Sequence, residues 1–285
     1  MNDGQTVDLE AEYDNRANVP EHPAIMAGWA RDAAAYRAAR GRHCEIGIRY
    51  GPHSRQTVDL FHPDEPDPRR PLIVFIHGGY WRSLDPSSFS HLAAGANARG
   101  FSVALPGYRL CPEVSVAEII DDLRAACLFI HGRLGIRLVA CGHSAGGHLA
   151  AAMAATDWER LGPRLPAGLV RGALSVSGLF DLTPLLVTSV NQSLRLDEAS
   201  AKAVSPAFWP VPSGVDLEAW VGGAEASEYL RQSRLIVDRW ADMGARTRFA
   251  LVPGANHFTA PAPLADPGST MVVALLRLAE AAWQR

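Results

Sequence analysis

Short apolar runs alternate along this chain with longer stretches of helical pattern, and that rhythm restricts the fold more than any other feature. A continuous apolar run needs cover on both faces, which the parallel strands of successive βα units receive from flanking helices. Leu72 to Ile76, Phe101 to Leu105 and Arg137 to Cys141 are such runs, separated by helical segments near Pro86 to Ala98 and Val116 to His131; they are expected at the centre of a sheet. Glu45 to Tyr50 and Gln56 to Phe61 read as an opening strand pair at the sheet edge, joined by the turn Gly51-Pro52-His53-Ser54. Further strands are expected at Val170 to Ser177, Leu217 to Val221 and Thr247 to Val252, with helices near Ser227 to Met243 and Ser269 to Trp283. Between residues 181 and 212 the rhythm breaks, which predicts a short lid-like insertion over the sheet. Residues 1–43, Ala- and Arg-rich from Pro23 to Arg40, read as an amino-terminal helical extension packed outside the sheet. The expected fold class is α/β, a mostly parallel central sheet flanked by helices, in one domain over residues 1–285.

Composition narrows the function. Of the 285 residues 48% are apolar and 20% charged, a balance that builds a large core and excludes a disordered chain. A net charge of −3, with both signs interspersed, offers no basic stripe for nucleic acid and no polybasic segment for an anionic membrane. The four cysteines, Cys44, Cys111, Cys127 and Cys141, show neither C-x-x-C nor metal-ligand spacing and read as free thiols. The start, MNDGQTVDLEAEYDNR, lacks the basic and apolar regions of a secretory signal, so a cytoplasmic protein is expected. The uncharged stretch Leu138 to Thr156 nears membrane-spanning length, but Gly142, His143, Ser144, Gly146, Gly147 and His148 lie in its middle, and a buried strand and helix explain it better. A homodimer is left open.

The chemistry concentrates in four loops. The run ending at Cys141 enters Gly142-His143-Ser144-Ala145-Gly146 and an Ala-rich helical pattern follows at once, the context of a G-x-S-x-G nucleophile elbow. Such a serine sits on a tight, strained turn whose neighbours must be small, and the helix start behind it offers free N–H groups to a developing oxyanion. The motif His77-Gly78-Gly79-Tyr80-Trp81 follows Leu72 to Ile76, where an oxyanion loop belongs; the N–H groups of Gly79, Tyr80 and Ala145 are the expected donors. In chain order the acid should follow a late strand and the histidine should come last. Glu225 and His257 fit, with Asp181 as a rival acid whose alternative role is to cap or anchor the insertion. His77, His143 and His148 read as braces. His143 and His148 lie five apart without the i, i+4 spacing of a zinc helix, so no metal is expected, and the chemistry needs no cofactor. The pocket candidates are Phe180, Trp209 and Phe258, beside Tyr80 and Trp81.

HGGYW at His77 to Trp81 and GHSAGGH at Gly142 to His148 resemble the kynurenine formamidase (arylformamidase) group of the α/β hydrolases. The segment Tyr13 to Pro20, Tyr50-Gly51-Pro52 leading into Leu60 to Pro63, and Gly222 to Glu225 with Gln232-Ser233 are similar to the same group. The resemblance implies an α/β-hydrolase fold, Ser144 as nucleophile, Glu225 as acid, His257 as base and an oxyanion hole from Gly79, Tyr80 and Ala145. It implies a small acyl substrate, aromatic in the case of N-formylkynurenine, with a short-chain carboxylesterase as the alternative and a non-catalytic ligand-binding protein as the reading from another class.

Overall fold

Strand β3 (Leu72–Ile76) is buried at every residue, and its apolar side chains are met on both faces by helices, as the unbroken run LIVFI demands. It lies in an eight-stranded sheet of order β1-β2-β4-β3-β5-β6-β7-β8. The other strands are β1 (Cys44–Arg49), β2 (Thr57–Phe61), β4 (Val103–Pro106), β5 (Leu138–His143), β6 (Val170–Val176), β7 (Asp216–Gly222) and β8 (Arg246–Val252). The β1–β2 and β2–β4 pairs are antiparallel and the remaining pairs parallel, so the opening strands form one edge and β4, β3 and β5 lie in the interior of the sheet. This computed structural model describes residues 7–162 and 165–283, and the molecule has the α/β-hydrolase fold.

The amino terminus forms α1 (Leu9–Tyr13), α2 (Asn15–Asn18) and α3 (His22–Arg40). The connections and flanks supply α4 (Ala94–Ala98), α5 (Val116–Leu134), α6 (Ala145–Ala154), α7 (Trp158–Leu161), α8 (Asn191–Leu194), α9 (Glu198–Ala203), α10 (Ser227–Asp242) and α11 (Thr270–Trp283). No helix among the described residues is long and apolar enough to cross a membrane, and all four cysteines are free. Helix α6 is buried at all ten positions, which its Ala- and Gly-rich sequence permits by letting backbone approach β5, β6 and β3. The long helix expected over residues 86–98 is instead two 3-10 turns, Pro86–Ser88 and Ser90–Ala93, followed by α4. Phe89 divides them at φ −122°, its ring fully buried against Phe75 and Trp29; docking that ring outweighs continuous helix. Residues 181–212 hold the 3-10 turns Thr183–Val187 and Pro206–Phe208 with α8 and α9 between them.

Three histidines brace the loops at the carboxyl ends of β3 and β5. His77 donates from Nδ1 to the Gly78 carbonyl at 2.8 Å and stacks on Tyr108 with ring centroids 4.3 Å apart. His143 donates from Nε2 to the His257 carbonyl at 2.8 Å. His148 accepts from the Trp81 indole at 3.3 Å and donates to the Val204 carbonyl at 2.7 Å, tying α6 to the β3 loop and to the insertion. Burial denies the imidazolium its water, pushing His77 and His148 down to about 4 and His143 well below its usual range, with His257 adding to the last shift.

These shifts set an acid limit on stability. A histidine in the unfolded chain takes up a proton below its ordinary value of 6.5, whereas His77 and His148 stay neutral in the fold down to about 4. The unfolded state therefore binds more protons in that window, and stability falls as pH falls, by about 1.4 kcal/mol per pH unit for each such group. We expect the thermal midpoint to drop between pH 6.5 and 4, with a shallower slope in His148→Gln; equal slopes in the two proteins would remove His148 from the account.

Candidate active site

Ser144 follows the last residue of β5 and precedes the first of α6, at φ 57° and ψ −124°. A non-glycine residue there costs on the order of 1–3 kcal/mol and persists only where its surroundings over-determine it. Here the Ser144 N–H is held by the Val176 carbonyl at 2.8 Å, and β5 is paired on both sides. Gly146 lies so near β3 that a Cβ would collide with the Ile76 and His77 carbonyls. Gly78 is the reciprocal case: a Cβ there would stand 2.7 Å from the His143 carbonyl oxygen and 2.9 Å from Ser144 Cβ. The two loops thus interlock through hydrogen atoms alone.

Three successive residues of the β3 loop, Gly79, Tyr80 and Trp81, have φ of 108°, 49° and 54°, turning the chain sharply beside Ser144. The turn is fixed from several directions. Gly79 O accepts from Arg82 N at 3.0 Å and Ser83 Oγ at 3.0 Å, Trp81 O accepts from Cys111 N at 2.8 Å, and Tyr108 Oη donates to His77 O at 2.8 Å. Ala145 is the first residue of α6, where an N–H has no partner within its own helix. The expected donors Gly79, Tyr80 and Ala145 are therefore carried by two loops in direct contact.

His257 joins the remaining groups. Its Nδ1 lies 2.6 Å from Glu225 Oε2 and its Nε2 3.0 Å from Ser144 Oγ. A carboxylate can only accept, so Nδ1 carries the hydrogen and Nε2 is left to accept from the serine hydroxyl. The Glu225 side chain is completely buried, and its second oxygen accepts from Ser177 Oγ at 2.5 Å and Gly222 N at 2.7 Å, which satisfies a charge that burial would otherwise penalise. Ser177 holds this position at φ 54°; the sequence signal for it was only its place between the β6 run and Gly178. Asp181 stands apart from His257, taking the N–H of Thr183 at 3.0 Å and its hydroxyl at 2.7 Å at the start of the insertion. Among the described residues no group of three His, Cys, Asp or Glu side chains is placed to hold a metal ion.

A cavity of about 220 Å³ opens at Ser144 and His257. Tyr80 and Phe258 line it, as expected for loop aromatics at this edge, but Phe180 and Trp209 do not. Phe180 is fully buried with its N–H held by Gln232, and the Trp209 indole donates to the Ala203 carbonyl at 2.9 Å, so both serve packing of the insertion. Trp81 is likewise core. The walls that pattern alone did not reveal are Trp29 of α3, Tyr13 and Asn15 of the amino-terminal segment, and Thr188 to Val190 of the insertion. Hydrogen bonds bring that segment there: Glu10 accepts from Ser189, and Glu12 accepts from Ser227 Oγ and Glu228 N at 2.8 Å each, capping α10, whose own N-cap residue Ala226 has no side-chain acceptor.

Residues 58–186 match the BD-FAE family model. The kynurenine formamidase of Drosophila melanogaster is 30% identical over 226 residues, 74% of this chain and 73% of its own; that of Danio rerio is 28% identical over 242 residues, 82% and 81% of the two chains. The crystal structure of a candidate thioesterase from a Silicibacter species superposes with a TM-score of 0.86 at 35% identity, covering 95% of this chain and all of the other. With nucleophile-elbow sequence, sheet order and long-range identity in agreement, the chain belongs to the kynurenine formamidase family of α/β-hydrolase enzymes.

Proposed function

We propose that this enzyme hydrolyses an N-formyl aryl amide through a formyl-enzyme on Ser144. The observation that carries the reading is His257 bridging Ser144 Oγ at 3.0 Å and Glu225 at 2.6 Å. His257 takes the serine proton as Oγ attacks the formyl carbon, and the oxyanion is met by the N–H groups of the β3 loop and Ala145. The imidazolium, stabilised by Glu225, gives its proton to the departing arylamine. His257 then removes a proton from water, whose oxygen attacks the formyl carbon, and returns that proton to Oγ as the C–Oγ bond breaks, releasing formate and free Ser144. Neutral His143 beside it leaves that imidazolium without a neighbouring like charge.

The aromatic leaving group rests on Trp29, Tyr80 and Phe258 along the cavity, and Arg16 and Arg82 on its lining suit a substrate that also carries an anionic group. The relatives named kynurenine formamidase make N-formyl-L-kynurenine the first substrate to offer. A short acyl ester or thioester is the second reading, favoured by the small cavity and by the Silicibacter structure.

Two measurements check these readings. Steady-state hydrolysis of N-formyl-L-kynurenine beside p-nitrophenyl acetate should show kcat/KM higher for the formamide by about 100-fold or more, a difference of roughly 2.7 kcal/mol in transition-state binding; ester turnover with an inert formamide would move the substrate to small esters. Ser144→Ala should lose at least about 10⁴-fold in kcat with an unchanged fold, and Glu225→Ala about 10⁴-fold. Substantial residual turnover in purified Ser144→Ala would sink the nucleophile assignment.

A further inference from the structure

We propose that Asn15 and Tyr229 are positioning residues: a one-directional hydrogen-bond chain from the amino-terminal segment fixes the Tyr80 turn and the plane of His257. The proposal rests on the reading of Ser144 as nucleophile, and no step of the mechanism above uses either residue.

The chain is short. Asn15 Nδ2 lies 2.7 Å from Tyr229 Oη and 3.3 Å from Tyr80 Oη, Tyr229 Oη 2.6 Å from Tyr80 Oη, and Tyr80 Oη 2.7 Å from the Tyr13 carbonyl oxygen. Tyr229 is fully buried and Asn15 is 7% exposed, so water does not substitute in the bond between them, while Tyr80 is half-buried on the cavity wall. Each phenol has one proton, which fixes the direction. The Tyr13 carbonyl accepts, so Tyr80 donates to it; Tyr229 must then donate to Tyr80, and the oxygen of Tyr229 is free to accept from Asn15. Reversing the Asn15 amide would draw the Tyr229 proton away and leave two phenol oxygens facing each other at 2.6 Å without a hydrogen between them.

The Tyr13 end of the chain is anchored. Tyr13 donates its own hydroxyl to Glu228 Oε2 at 2.7 Å and accepts from Gln232 Nε2 at 3.0 Å, while Gln232 holds the N–H groups of Phe180 and Asp181 at 2.8 and 2.9 Å. Two consequences reach the reacting atoms. The Tyr80 side chain is tethered from both sides while its backbone sits at φ 49°, so the N–H offered to the oxyanion is preset and does not reorganise as charge develops. The Tyr229 ring lies 4.5 Å from the His257 ring at 48°, covering one imidazole face and keeping Nε2 aimed at Ser144.

The test is a double-mutant cycle with Asn15→Ala and Tyr229→Phe, read with p-nitrophenyl acetate and by the labelling rate of Ser144 with a fluorophosphonate probe. Each single variant should lose about 10- to 100-fold in kcat and in labelling rate, with KM within about 3-fold of wild type, since the donor is misplaced and not removed. The double variant should fall no more than about 2-fold below the weaker single, because both changes cut one chain. Multiplicative losses, a loss confined to KM, or kcat within about 2-fold of wild type would overturn the proposal. If Asn15→Ala does not fold, Tyr80→Phe, which keeps the backbone N–H and deletes the linking hydroxyl, must give the same loss in kcat. Ser144→Ala, run as the blank, separates the two readings: a dead blank beside fully active chain variants defeats the positioning role alone, whereas an active blank defeats the nucleophile and the positioning role with it.

Discussion

Gly78 and Gly146 bring the turn after β3 and the turn after β5 into backbone contact, and a side chain at either position would force the loops apart. Ser144 adopts a conformation with φ 57° because it must exit a strand paired on both sides and enter a helix lying directly across that strand's neighbours. The energy for this comes from the sheet: β3, β5 and β6 bury their apolar residues whatever the turn does, so a few kcal/mol of local strain is absorbed by a much larger favourable term. Site and core are therefore one construction. The glycines that let helix α6 pack close also place its free N–H groups beside the serine.

Electrostatics follow from the same closeness. A buried carboxylate needs donors, and Glu225 has Ser177, the Gly222 N–H and His257 around its two oxygens. The imidazoles nearby, His77, His143 and His148, are held neutral by burial, each giving a ring N–H to a loop carbonyl, and His148 also accepts from an indole. His143, whose ring packs on that of His257 with centroids 4.8 Å apart, thus brings no charge of its own to the serine.

The amino-terminal segment adds a layer that the sheet does not supply. Glu10 reaches the insertion, Glu12 caps α10, Tyr13 meets Glu228 and Gln232, and Asn15 meets Tyr229. Four side chains within six residues thereby connect elements that are otherwise separate in the chain, and Glu10, Tyr13 and Asn15 among them wall the cavity at Ser144 together with Trp29.

The sequence alone determined the parts whose physics is local. The run LIVFI could only be a doubly covered strand, and it spans the residues of β3; the elbow motif between an apolar run and an Ala-rich helix fixed where Ser144 sits. The order of Ser144, Glu225 and His257 was legible because each follows a strand that periodicity already marks. Tertiary structure decided the rest. Whether residues 86–98 run as one helix depends on where Phe89 docks, and whether Phe180, Trp209 or Trp29 faces the cavity depends on which elements meet there. Periodicity reports that a side chain is buried and not against what. Tyr13 and Tyr229 are 216 residues apart in sequence but have ring centroids 5.8 Å apart in space, and contacts of that range exist only once the whole sheet has closed around them.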